Sequence, residues 1–356
     1  MRLQMSRRDF LSNTVKALGV AATIGLPASA SRVLAGTPPN TASSVAWMQN
    51  NLALLGSRTL REICIPGTHD AGMSAFNSGT AFAHPCNTIT QTNAILSQLQ
   101  NGSRYFDIRP VISAGKYVTG HYSYIAQINS WQGGNGQSIQ SIIDDINAFT
   151  ASNNELVVLN LSHDLDTDLG NSSYAPLTQA QWDSLLQMLQ QGLNHLYTGA
   201  PIGADLTALT LNTYIGNNSP AVVVVVDASA SGFTLGRFAG QGFYLPQNFP
   251  VYNQYSEINN LDSMISDQLS KMVTQRSNPE ASYFVLSWTL TQDGGQAIFC
   301  EIGADSILKL ANKANAQLAA QLLPACSAQT FPNIIYIDNL TSNLDVVSLA
   351  MQINNL

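Results

Sequence analysis

Ile63-Cys64-Ile65-Pro66-Gly67-Thr68-His69-Asp70 is an apolar run that ends in two ionisable residues. Its length suits a strand, and its unbroken hydrophobicity suits one covered on both faces. The same design recurs along the chain. Strands are expected at residues 62–66, 105–109, 117–120, 156–161, 221–227, 242–245, 283–289 and 333–338. Helical periodicity falls between them, at 139–149, 179–196, 261–275 and 306–322. Alternating strands and helices imply a parallel sheet, and eight strands imply an α/β barrel of the (β/α)8 TIM type. Segments 109–116 and 228–241 lack a strong helix, so the barrel should be irregular. The Gly/Asn/Ser-rich stretch 130–137 reads as a loop.

Charge is scarce in this chain. Only 10% of its 356 residues are charged, 45% are hydrophobic, and the net charge is −7. This is too apolar for a disordered chain and too acidic for a nucleic-acid binder. A charge at a strand end is therefore informative. His69 and Asp70 follow the first run, Asp107-Ile108-Arg109 ends the second, Gly120-His121 the third and Ile337-Asp338 the last. In an α/β barrel such ends converge on one face, where active sites lie. Two imidazoles can serve as base and acid near neutrality, and the planar guanidinium fork suits phosphate oxygens as charge builds on them.

The residues that carry this pattern also resemble a known family. Ile65-Pro66-Gly67-Thr68-His69-Asp70-Ala71-Gly72, Ser103-Arg104-Tyr105-Phe106-Asp107-Ile108-Arg109 and Thr119-Gly120-His121 match, in order and spacing, the catalytic X region of bacterial phosphatidylinositol-specific phospholipases C. The likeness is strong over residues 61–164 and continues weakly to Ile335-Tyr336-Ile337-Asp338. It implies a PLC-like phosphodiesterase barrel that cleaves an inositol phospholipid to a cyclic inositol phosphate and diacylglycerol. By the same resemblance His69 would be the general base, oriented by Asp338. Arg109, steered by Asp107, would stabilise the phosphorane. His121, supported by Asp70, would protonate the leaving oxygen. Ser162, His163, Asn253 and Tyr255 would face the substrate. Calcium-dependent relatives carry a carboxylate where Arg109 stands, so no metal and no cofactor is expected. Leu245, Gln247 and Asn253 depart from the aromatic and acidic residues of the family, which points to a different polyol headgroup. The alternatives are a superfamily enzyme acting on another phosphodiester and a secreted headgroup- or glycan-binding protein with a vestigial site.

The ends and cysteines complete the reading. Ser6-Arg7-Arg8-Asp9-Phe10-Leu11, an apolar stretch 15–26 and small residues to Ala35 form a twin-arginine export signal over residues 1–36. A single catalytic domain, 37–356, would follow, periplasmic or secreted. Cleavage after Ala30 removes four cations and one anion, leaving about −10. No later run approaches the ~20 apolar residues of a membrane span, so membrane contact would be transient. Of three possible connectivities for Cys64, Cys86, Cys300 and Cys326, the local pairs Cys64–Cys86 and Cys300–Cys326 are expected, with buried free thiols the alternative. His163-Asp164-Leu165-Asp166-Thr167-Asp168-Leu169-Gly170 imitates a calcium loop, but Ala175 stands where the bidentate acid belongs, so a solvated loop is expected. His84 and His195 read as structural, and Trp131 as a loop-packing residue or an anchor at a lipid surface.

Overall fold

The apolar runs become strands whose alternate residues feed two different cores. The computed structural model describes residues 44–342 and 345–356, so the expected export signal lies outside the described residues. Thirteen strands follow in order: β1 (Ile65–Thr68), β2 (Ser78–Gly79), β3 (Tyr105–Ile108), β4 (Pro110–Ser113), β5 (Lys116–Ile125), β6 (Ser130–Ser138), β7 (Leu156–Leu161), β8 (Leu165–Asp166), β9 (Ala221–Val226), β10 (Phe243–Tyr244), β11 (Val251–Tyr252), β12 (Tyr283–Trp288) and β13 (Ile334–Ile337). Eight of them form a parallel sheet in the order β10-β9-β7-β3-β1-β13-β12-β11. On β7, Leu156 and Val158 point into the barrel interior beside Tyr105, Val223 and Tyr336. Val157, Leu159 and Leu161 point outward against the helices Ile139–Thr150 and Gln179–Gly192. The helices Leu261–Gln275, Ile307–Leu322 and Val346–Asn354 bury Phe284, Leu286, Trp288, Ile335 and Ile337 on the other side. Side-chain caps set the starts: Ser138 accepts from the Ser141 amide, Thr178 from Gln181 and Ser306 from Lys309. The helix expected over 179–196 ends at Gly192.

The barrel is irregular, as expected, and it is open. Its edge strands β10 and β11 are two residues long, and no pairing joins them among the described residues. The run at 117–120 is not a barrel strand. It belongs to β5, within a second, five-stranded sheet of order β2-β6-β5-β4-β8. The eighth barrel strand is β11, too short for any periodic signal. The stretch expected as a loop at 130–137 is also a strand, β6, paired antiparallel with β5. Its glycines permit close approach: a Cβ on Gly134 would lie 2.5 Å from the Phe76 ring, and one on Gly133 only 2.0 Å from the His121 carbonyl oxygen.

The cysteine pairing is corrected. Cys86 bonds Cys300, with Cα atoms 5.9 Å apart, while Cys64 and Cys326 are free. Cys64 precedes β1, whereas Cys86 lies in the loop after it, at the opposite end of that strand. Cys300 lies in the loop after β12, at the same end as Cys86. The calcium-like loop is structural: Asp168 accepts the Gly115 amide at 2.7 Å, fixing the β4–β5 turn, and Asp166 accepts from Gln181. Trp131 is half-buried on β6, packed edge-on against Tyr124. His84 pairs with Glu301, and the His195 carbonyl accepts the Val222 amide.

Candidate active site

β1 and β13 lie side by side, in register from Ile65–Ile334 to Thr68–Ile337. The next residue on each is His69 and Asp338, so the pairing itself brings them together. His69 Nδ1 lies 2.7 Å from Asp338 Oδ1, and its Nε2 lies 2.7 Å from an Arg109 guanidinium nitrogen. Arg109 can only donate, which assigns the His69 tautomer: Nδ1–H donates to Asp338 and the Nε2 lone pair faces Arg109. On β3 the outward residues Phe106 and Ile108 join the helix-covered core. Asp107 and Arg109 take the inward positions, and Arg109 Nε donates to Asp107 Oδ2 at 3.0 Å. His121 enters from the middle of β5. Its Nδ1 lies 3.3 Å from Asp70 Oδ2, and Arg109 lies 3.6 Å from the same oxygen. Asp70 adopts φ +39°, which turns the chain so that its amide donates to Asp107 while its carboxyl faces His121.

Each ionisable group has its own electrostatic setting. Burial pushes Asp107 up, but Arg109, His163, His69 and the Tyr336 hydroxyl outweigh it and hold the carboxylate well below its usual range. Asp107 accepts from Ser162 Oγ at 2.8 Å and Tyr336 Oη at 2.7 Å, as well as from Arg109. Burial opposes the Arg109 charge too, yet Asp107 and Asp70 raise its pKa well above the ordinary value. The Asp70 carboxyl is fully buried and forms no hydrogen bond. Burial lifts it to about 7, against the opposing pull of Arg109. Burial, then Arg109 and His69, lower His121 to about 3, while the Thr88 carbonyl and Asp107 act the other way. Asp70 and His121 therefore form a buried couple that holds one proton below neutrality and leaves the resting imidazole neutral.

The structure brings His69, Asp70, Asp107, Arg109, His121 and Asp338 into one connected set. The four expected substrate contacts divide. Ser162 is buried and bonded to Asp107 and to His163 Nδ1, so it supports the floor. His163 is exposed, at φ +53°. Tyr255 is half-buried, its ring centroid 5.5 Å from that of His69 and its hydroxyl 3.0 Å from that of Tyr336. Asn253 is exposed and accepts from Ser287 Oγ. Two residues were missed. Tyr336 stands two positions before Asp338 on β13, and that period-2 spacing placed both on the inner face. Asp227 follows the last residue of β9, whose partner Leu161 precedes Ser162, so it too stands at a strand end. Its carboxyl is raised by burial and by Asp164 and Asp107. A group of three or more His, Cys, Asp or Glu side chains able to hold a metal is absent among the described residues.

Comparison with known proteins follows the same lines. No family model matches the chain. A 1-phosphatidylinositol phosphodiesterase of Staphylococcus aureus is 28% identical over 145 residues, 40% of this chain and 39% of that protein. A PI-PLC X-box domain-containing protein of Dictyostelium discoideum is 27% identical over 130 residues, 33% of this chain and 16% of that protein. The chain thus spans less than two fifths of the length of these relatives. The phosphatidylinositol-specific phospholipase C of S. aureus superposes over 88% of this chain and 98% of its own, with a TM-score of 0.59 at 18% identity. That of Listeria monocytogenes covers 87% and 98%, with a TM-score of 0.54 at 13% identity. In its motifs and in its open barrel alike, the chain resembles the bacterial phosphatidylinositol-specific phospholipases C.

Proposed function

We propose that the protein is an exported, metal-independent phosphodiesterase of the phosphatidylinositol-specific phospholipase C type. The observation that carries this reading is the convergence on one guanidinium of two differently poised histidines, His69 directly and His121 through Asp70. Neutral His69, its Nδ1–H held by Asp338, presents Nε2 as the base that takes the proton of a headgroup hydroxyl next to the phosphate. The freed oxygen attacks phosphorus and closes a cyclic phosphodiester. Arg109, fixed by Asp107 and Asp70, donates to the phosphoryl oxygens as negative charge gathers there. The Asp70–His121 couple supplies the proton that leaves with the glycerol oxygen. Arg109 provides the fixed cation at the site centre, which supports metal independence.

Two further features support a lipid substrate. Phe82, Ile298, Phe299 and Ile302 are 54, 63, 53 and 81% exposed, on the loops after β1 and β12, at the His69 end of the barrel. No lysine or arginine lies between Arg61 and Arg104 or between Arg276 and Lys309, so contact there would be apolar. Among the described residues no helix is long and apolar enough to cross a membrane. The twin-arginine sequence at residues 6–11 supports export. A second reading keeps the chemistry and changes the headgroup. It is favoured by neutral Asn253 and by Asp227, which has no cation partner among the described residues.

Phosphorus NMR of the purified protein with phosphatidylinositol micelles and chelator tests both. A downfield cyclic phosphodiester signal is expected. Activity abolished by chelator and restored by calcium would refute metal independence. Silence on phosphatidylinositol with turnover of another vicinal-diol headgroup would select the second reading.

A further inference from the structure

Behind the site runs Thr88-Ile89-Thr90-Gln91, a segment whose three polar side chains are at most 1% exposed. Each of these residues is bonded toward a different part of the site. The Thr88 backbone faces the His121 imidazole and favours its charged form. Thr90 Oγ1 donates to the Asp70 carbonyl at 2.8 Å, and the Thr90 carbonyl accepts the Asn339 amide at 2.8 Å. Gln91 Nε2 donates to the carbonyls of His69 and Ile337, at 3.0 and 3.1 Å, and its Oε1 accepts the Leu340 amide at 3.0 Å. One amide thus ties together the two backbone ends from which His69 and Asp338 hang. No other described side chain bonds to both ends.

The segment is itself fastened from outside. The Pro85–Thr88 helix that leads into it is one turn, far below the length at which a helix stands alone. Four ties bind residues 84–87 to the loop after β12: the Cys86–Cys300 disulfide, the His84–Glu301 pair at 2.8 Å, Asn87 Nδ2 donating to the Ala297 carbonyl at 2.9 Å, and Gln292 Nε2 donating to the Cys86 carbonyl at 3.3 Å.

We propose that Gln91 is a positioning residue for the acid–base machinery, setting the His69–Asp338 distance from a brace that the Cys86–Cys300 disulfide locks in place. The inference rests on the phosphodiesterase reading for its kinetic consequence but not for its structural one. Gln91→Met keeps the volume and removes both donors and the acceptor. Gln91→Glu keeps the shape and, when ionised, offers neither donor.

Two measurements test it. The first needs no substrate: proton NMR of the resting protein should show the low-field Nδ1 proton of His69 bonded to Asp338. That signal should move upfield or vanish in both variants while the fold, read by circular dichroism, persists. The second is kinetic. A misplacement of about 1 Å costs on the order of 10²-fold, so kcat should fall about 10- to 100-fold with KM nearly unchanged. Folded variants with an unaltered His69 proton would overturn the proposal, as would variants that lower the melting temperature and nothing else. If neither variant folds, Gln91 is a residue of the fold and the proposal fails. If the proton moves but the wild type turns over no phosphodiester, the positioning role stands and the phosphodiesterase reading falls.

Discussion

Removing the imidazole of His69 or of His121 by alanine substitution should lower the rate by about 10²–10⁴. Circular dichroism and the melting transition should stay close to wild type; a fully active variant would refute the assignment. Arg109→Lys should be comparably damaging, because a point charge cannot donate along Nε to Asp107 and along the terminal nitrogens to phosphate at once. The proton on the Asp70–His121 couple gives a pH prediction. It is present below the Asp70 value of about 7 and lost above it, so kcat/KM should decline as pH rises through 7. Asp70→Asn should abolish that limb as well as lowering the rate. Stability follows by linkage. Asp70, raised in the folded state, loses stabilisation as pH climbs from about 4 to 7. His121, lowered to about 3, gains it from about 3 to 6.5. The two nearly cancel between about 4 and 6.5, since folding only moves a proton from imidazole to carboxyl. Asp70→Asn should expose the His121 half, so that the melting temperature falls on acidification from 6.5 to 4 more steeply than in wild type. His69, Arg109 and Asp338 were legible because a lone charge at the end of an apolar run has few structural uses in so uncharged a chain. Tyr336 was not, because a tyrosine inside Ile-Ile-Tyr-Ile reads as core until the strand's inward face is known.

Among the elements, strands of four to six apolar residues were legible, and what escaped had physical reasons. β11, at two residues, carries no period, whereas the equally short β10 fell inside the run expected at 242–245. β6 hides because glycine has no strand signature of its own; its conformation comes from its neighbour β5. The placement of His121 therefore depends on a strand that the sequence shows as a loop. Gly133→Ala makes this testable. Its Cβ would stand 2.0 Å from the His121 carbonyl oxygen, so β5 must shift. Destabilisation of roughly 1–3 kcal/mol is expected, as for overpacking, with a loss of activity on the order of 10²-fold through displaced His121. Gly115→Ala, at a turn with open space around it, serves as the control: it carries the strain of its φ of +69° without moving His121. Equal activity losses in the two variants would refute the link.

The disulfide acts on the whole molecule, because its cysteines are 214 residues apart and span most of the barrel. Closing so long a loop restricts the unfolded chain strongly, and Cys86→Ser with Cys300→Ser should cost about 2–5 kcal/mol. Thermal unfolding with and without reductant checks it; an unchanged melting temperature would show the bond to be dispensable. Binding to phosphatidylcholine vesicles should be insensitive to salt, since the apolar rim near His69 has no cation to screen. Charge alone could not foretell that surface: Phe82 and Ile298 come together only because β1 and β12 end on the same side.

The missing pairing between β10 and β11 gives the cylinder a slit. Among the described residues no strand pairing crosses it; the chain does, through residues 245–250, where buried Phe249 packs against Tyr283, so the wall there is held by packing and a covalent link and not by a rung of hydrogen bonds. A fully hooped tube can widen only by breaking rungs, whereas a slit tube can flex like a spring collar. The amides of residues 243–252 should then be the first of the sheet to exchange their hydrogens with solvent.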